Sequence, residues 1–369
     1  MSDSRDAVPR WRHALTNWIW PLLPGLFGFL LVVGIRPLRP TNVRWIHGSD
    51  PLKDYMGWSF FRHAPWAFPL GANPQWGMEK AGASIFFSDS IPVLALILKP
   101  FSAILSEPFQ YDGLWLLICF LLQSYFAWNL LARATPDLVT RACGTLLFVF
   151  APPMMMRIGL HYALVGQWVL LAAIWISIER PRHVIPAWAL VVSLTVLVHP
   201  YLAAMVLALW AANWCARINM SRASAAMSVL EVVVVVGCCA LTLWQVGAFM
   251  MPNGVGREGF GYYRMNLNTL FNPKDEAQMW SYFLPALPGA SPGEYEGFSF
   301  LGLGGALCAV TGAVIAIARW RDVVTWMDRA RVWLLLACVG LTVAAATNDV
   351  SAGTHVFHYE IPDRVVDIL

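Results

Sequence analysis

The loop from Trp45 to Pro92 places Asp50, Asp54 and Asp89 close to two histidines and many aromatic residues. Long loops of this kind are functional or disordered, and the Trp and Phe content argues against disorder. A carboxylate here could accept a proton from a hydroxyl acceptor or ligate a divalent cation. Asp50 and Asp54 lie in G-S-D-P-L-K-D-Y and Asp89 in F-F-S-D-S-I-P. Their convergence with His161 around one outward-facing cavity would make a Mg²⁺ or Mn²⁺ site, since these hard ions take oxygen ligands and leave positions open for phosphate. A plainer role is open to each aspartate. Pro51 disfavours helix at Asp50, so Asp50 or Ser49 could cap a helix running through Phe61, and Asp89 could cap the helix that follows it.

Basic and acidic residues elsewhere extend the candidate site. Arg157 and His161, in R-I-G-L-H-Y, fall at a turn between two apolar segments. Arginine suits a phosphate oxygen and histidine can donate a hydrogen bond; interfacial snorkelling by Arg157 is the plainer reading. His199 in V-H-P-Y is similar, although Pro200 already accounts for a break there. Arg62, in W-S-F-F-R-H, joins the substrate-binding set. A second loop, 251–298, brings Arg257 and Arg264 among aromatics, a combination that suits a phosphate beside a sugar or lipid headgroup. Glu294 and Glu296 close that loop. Glu296 is a candidate for substrate contact, or an acid anchoring the next helix.

The elements that must carry these residues are membrane helices. The chain is 58% hydrophobic and 13% charged, whereas a soluble domain carries about twice that charge. Apolar runs of near-spanning length occur at 18–35, 112–132, 141–156, 163–179, 186–199, 200–216, 229–250, 299–318 and 332–347. The segment 91–105, short and broken by Lys99-Pro100, reads as an interfacial or re-entrant helix. With that assignment, the N-terminal arginines and those near 133–141, 180–182, 217–222 and 319–331 all fall on the cytoplasmic side. The expectation is an all-α, polytopic bundle of about nine spans forming a single membrane domain over 1–369, with the N-terminus cytoplasmic. Its long outer loops are 36–111 and 251–298, and most acids and histidines lie on the outer side. The basic residues then read as topology and imply no nucleic-acid partner.

All seven cysteines lie within apolar runs, so they imply packing and no disulfide framework or thiolate metal site. The first span is followed by I-R-P-L-R-P without a small-residue cleavage site, which predicts a retained anchor. The chain ends outside without a cytoplasmic return, which raises the expectation of a further C-terminal portion.

One span, a long outer loop with early acids and an interfacial helix, then more spans resembles the GT-C class of polytopic membrane glycosyltransferases. Asp50-Pro51 with Asp54-Tyr55, and Trp66-Ala67-Phe68-Pro69-Leu70-Gly71, are similar to the Asp-Pro and Tyr-Pro-Leu-Gly elements of oligosaccharyltransferase subunits. Together D-S-I-P, R-I-G-L-H-Y and E-G-F-S-F-L-G look more like an uncharacterised bacterial membrane-protein family of that architecture. The resemblance implies a sugar donor linked to a polyprenyl phosphate and an acidic residue of the first outer loop at a metal or at the acceptor. The acceptor would be an envelope glycan, lipid or protein outside the bacterial inner membrane. A transporter or flippase of lipid-linked sugars is the main rival, but such proteins place ionisable groups near mid-membrane and often show inverted repeats. A non-catalytic scaffold subunit is the third reading.

Overall fold

A computed structural model describes residues 19–76, 84–179, 181–220, 224–250, 261–275 and 278–360. The protein is predominantly helical. Helices α1 (Leu23–Val32), α2 (Ser49–His63) and α3 (Pro92–Leu98) precede α4 (Asp112–Leu131). The bundle continues through α5 (Leu138–Val149), α6 (Pro152–Met156), α7 (Trp168–Glu179), α8 (Val184–Val196), α9 (Pro200–Asn219) and α10 (Ala225–Val246). After the second loop come α11 (Gly302–Ala318), α12 (Trp320–Trp326) and α13 (Arg329–Ala346).

Local chemistry sets many of these boundaries. Asp137 and Ser224 cap α5 and α10 by accepting from the backbone N–H of Thr140 and Met227. Pro152 and Pro200 open α6 and α9, where a missing N–H costs nothing. Gly247, at φ 82°, ends α10 in the left-handed cap that glycine adopts without strain, so that helix stops short of the apolar run's end at 250.

Five segments are long and apolar enough to cross a membrane: Asp112–Leu131, Leu138–Met156, Tyr162–Glu179, Pro200–Asn219 and Ala225–Val246. Trp20–Val32, Val184–Val196, Gly302–Ala318 and Ala330–Ala346 are shorter apolar helices. Each of the nine expected apolar runs thus becomes helical. The segment expected to lie at the interface is also helical, with α3 passing into a short 3₁₀ turn at Lys99–Phe101.

Around α4 pack α1, α5 and α7, while α9 packs against α7, α8 and α13, and α8 against α10. Large side chains fill the centre, among them Phe29, Trp58, Phe61, Trp115, Phe120, Tyr162 and Trp188, all nearly inaccessible. Close approach depends on small residues, as in membrane bundles generally. At Gly25 a Cβ would lie 2.3 Å from the Phe120 carbonyl oxygen. Outward faces stay apolar, as Leu26, Leu30, Val229, Val233 and Val236 illustrate. Such faces suit lipid contact.

The bundle end that carries the Arg133–Glu179 ion pair also holds a buried network. Glu231 of α10 accepts from Arg217 and from Trp210 Nε1 at 3.0 Å. Arg217 Nε donates to Asn213 at 3.0 Å, and Asn213 also accepts from Trp188 at 3.3 Å, so α8, α9 and α10 are locked together.

A small antiparallel hairpin departs from the all-helical expectation. Strands β1 (Asp349–Ala352) and β2 (His355–His358) pair with Ser351 opposite Val356, and Gly353 turns at φ 62°. Gly-Thr between two short strands is a hairpin signal, easily overlooked beside so strong a helical pattern.

Candidate functional site

Helix α2 begins at Ser49 because Gly48, at φ 92°, turns the chain into it. Asp50 therefore sits inside the first turn and is not the cap; Pro51 is tolerated there because first-turn N–H groups lack helical partners anyway. No side chain caps α2. Asp89 is not a cap either. The residue preceding α3 is Ile91, and neither it nor Asp89 makes a side-chain capping bond. Both carboxylates are thus left for other contacts.

Asp89 adopts φ 52° and Ile91 φ 46°. Positive φ is uncommon for Asp and an outlier for β-branched Ile, and strain of this kind gathers at functional sites. The surrounding packing holds the segment in place. A Cβ at Gly57 of α2 would lie 2.4 Å from Ser88 Cβ and from Ser90 Oγ, so only glycine lets the helix and this segment meet. Ser90 donates to the Asp54 carbonyl at 2.8 Å, Tyr111 donates to the Ser90 carbonyl, and Val93 N–H donates to Leu197 at 2.9 Å.

The side chains brought together form a continuous line. His199 Nε2 lies 3.7 Å from Asp89 Oδ1, and Asp89 Oδ2 accepts from Lys53 Nζ at 2.8 Å. Lys53 Nζ is 3.8 Å from Asp50 Oδ1, and Asp50 Oδ2 is 3.8 Å from His161 Nε2. His161 Nε2 donates to Glu296 Oε1 at 3.3 Å, while Arg157 donates to the Glu296 side chain and carbonyl, both at 2.6 Å. Seven ionisable groups from five chain segments thus meet at the bundle end where α4 and α9 begin.

Electrostatics assigns charges along this line. Lys53 loses some preference for its charged form through burial, but Asp89, Asp54 and Asp50 more than restore it, so its pKa is raised. The buried His199 ring accepts from the Tyr201 N–H through Nδ1 at 3.2 Å. Its proton is therefore on Nε2, facing Asp89. Burial alone would raise Glu296, but the hydrogen bond from His161 and the Arg157 charge outweigh it and hold the acid at about 2.

Asp54 behaves differently from the other two aspartates. It is 2% exposed, on the face of α2 that also carries Trp58 and Phe61, and its carboxyl oxygens have no hydrogen-bond partner among the described residues. Burial, followed by the neighbouring Asp89 charge, raises it to about 10. Asp54 thus lies against the core, apart from the partly exposed Asp50 and Asp89 of the ionic line.

The family model described as a domain of unknown function, DUF6311, matches residues 22–369. The chain belongs to that family. No curated protein and no solved structure matches it. The DUF6311 match takes in every residue of the ionic line and both long loops.

Within this DUF6311 chain the remaining candidates divide sharply. Arg157, His161 and Glu296 join the line. Arg62 does not: its terminal nitrogens donate to the carbonyls of Ser102, Leu105 and Ser106 at 3.0–3.2 Å, and its guanidinium lies over Trp58 and Phe109. That arginine anchors the segment after α3 and lies apart from the ionic line. Arg264 donates to Ser351 at 2.6 Å and to the Gly261 carbonyl at 2.5 Å, binding the β hairpin to the second loop. It too is committed to the fold. Arg257 lies outside the described residues.

Lys53 is the charged residue of this line that sequence reading does not single out. Its spacing of three from Asp50 was the available signal. Among the described residues no group of three or more His, Cys, Asp or Glu side chains is disposed to hold a metal ion. Lys53 instead fills the space between Asp50 and Asp89. A cavity of about 480 Å³ lies within the second loop, lined by Asn266, Asn268, Thr269, Glu294, Tyr295 and Phe298 among others. Its lining includes none of Asp50, Asp89 or His161, and it adjoins the ionic line through Tyr295-Glu296.

Proposed function

We propose that this DUF6311 protein is a membrane glycosyltransferase that moves a sugar from a polyprenyl-phosphate donor to an envelope glycan, lipid or protein on the outer face of the bacterial inner membrane. The observation carrying this reading is the ionic line, where Asp50 and Asp89 flank Lys53 at one end of an apolar bundle. Asp50 is the base: its side chain is 34% exposed and makes no hydrogen bond in capping α2. The acceptor oxygen bonds to the anomeric carbon while the bond from that carbon to the phosphate oxygen breaks. The acceptor proton passes to Asp50, and the electron pair stays on the departing phosphate. Lipid-facing bundle walls would keep the polyprenyl chain in the membrane with its phosphate at this end.

The decisive assay supplies polyprenyl-phosphate sugars to the purified full-length protein in liposomes. A glycosylated acceptor together with free polyprenyl phosphate is the expected outcome. Labelled lipid that crosses the bilayer with its sugar–phosphate bond intact would replace this reading with a flippase.

The reading also requires a GT-C-like topology of nine spans with the N-terminus inside, supported by the arginines that flank the opposite bundle end. Thiols introduced at Glu107 and Ser291, in a background lacking the native cysteines, are expected to react with an impermeant reagent in intact cells. Thiols at Ala134 and Asp322 are expected not to react, and labelling at Asp322 would overturn the orientation.

A further inference from the structure

We propose that Lys53 is the cation that meets the departing phosphate, and that it does so in the position where the resemblance expects a divalent metal, so that the site works without Mg²⁺ or Mn²⁺. The inference rests on the glycosyltransferase reading for the identity of the anion, but its geometric basis is independent of that reading. An octahedral metal needs several oxygen ligands at about 2.0–2.1 Å. Asp50 and Asp89 approach the same Lys53 ammonium from two sides, at 3.8 and 2.8 Å. A metal between them would have to enter the space that the ammonium occupies. Asp54, the third oxygen ligand expected from the sequence, is enclosed against the core, and no replacement ligand set exists among the described residues.

The ammonium is well placed for this task. An ammonium has three N–H donors, and among the described residues only Asp89 accepts from Lys53, which leaves two for an oxyanion. Its side chain is 35% exposed, so an anion can reach it. Asp89 serves as the positioning residue. It is fixed by its left-handed backbone, by the close packing at Gly57 and by the buried His199 on its other oxygen, and it holds Lys53 in place. Lysine contacts phosphate as a compact point charge and needs no bidentate geometry. Lys53 keeps its proton throughout; its charge stabilises the electron pair left on the phosphate oxygen when the sugar departs.

Two measurements on the purified full chain test this. The first is polyprenyl phosphate binding in EDTA and in Mg²⁺. Equal affinity in both is expected, with a loss of roughly tenfold to hundredfold in Lys53→Met, the size of a charge-assisted hydrogen bond, and substantial recovery in Lys53→Arg. The second follows Mn²⁺ alone by electron paramagnetic resonance, and the wild-type protein is expected to leave the free Mn²⁺ signal undiminished. Binding that requires Mg²⁺, equal binding by Lys53→Met, or Mn²⁺ bound by wild type and lost in Asp89→Asn would each overturn the proposal and leave the glycosyltransferase reading standing. Failure of the wild-type protein to bind polyprenyl phosphate under either condition would overturn both.

Discussion

Asp54→Asn is expected to raise the stability of the protein at neutral pH and to flatten its dependence on pH. Asp54 has its pKa raised from 3.8 to about 10 in the folded state, first by burial and then by the charge of Asp89. An acid shifted upward binds its proton more tightly when folded than when unfolded. Its contribution is therefore most favourable below about pH 4 and declines as pH rises toward about 10, because the unfolded chain ionises while the folded one does not. At pH 7 about three units of this window have been crossed. At about 1.4 kcal/mol per unit, and allowing for relaxation and water entry around the group, the penalty is about 2–4 kcal/mol. Asparagine keeps the shape, cannot ionise in either state, and removes that penalty. Thermal unfolding of the two proteins from about pH 5 to about pH 9 should show the wild-type midpoint falling with pH while the variant's midpoint holds. Parallel profiles would show that Asp54 ionises in the folded protein, and would make it a second candidate base.

The contrast between Asp54 and Asp50 also shows what the sequence could and could not reveal. Both stand in one short motif, four residues apart. Asp54, Trp58 and Phe61 follow the i, i+4, i+7 spacing of a buried stripe, so the burial of Asp54 was legible once α2 was placed. Asp50 and Lys53 lie in the turn before, where α2 has only begun to enter the core, and both remain partly exposed. The apolar helices, the short α3 and the His199-Pro200 break were readable because hydrophobic runs and proline act locally. The pairing of Glu296 with Arg157 and His161 joins residues 135–139 positions apart. Spacing encodes nothing of such a contact. The contacts of Arg62 with the carbonyls of Ser102, Leu105 and Ser106, and of Arg264 with the Ser351 hydroxyl, are equally hidden from spacing, because those partners belong to distant segments. The left-handed backbone at Asp89 had no sequence signal either, because it is imposed by packing against Gly57 and the residues around Leu197.

Asp50→Asn is expected to lower sugar transfer by about 10²–10⁴-fold, the usual contribution of a positioned general base, with little change in stability. An amide has nearly the same shape but cannot take the acceptor proton. The structural alternative, a helix cap, predicts unaltered transfer, because Asn caps about as well as Asp. Since the Asp50 side chain makes no capping bond, the stability cost should be confined to the lost attraction between a carboxylate and a helix N-terminus, about 0.3–1 kcal/mol. Binding supplies the discriminating measurement. Asp50 lies 3.8 Å from both Lys53 and His161 and hydrogen-bonds neither, so its neutralisation leaves the cation in place. Polyprenyl phosphate should therefore bind Asp50→Asn at least as well as wild type, because a negative charge near the anion has been removed. An unaltered transfer rate would remove Asp50 from the chemistry. A parallel loss of binding and turnover would instead make it a residue that orients Lys53, and would pass the base role to the remaining partly exposed carboxylate beside that ammonium, Asp89.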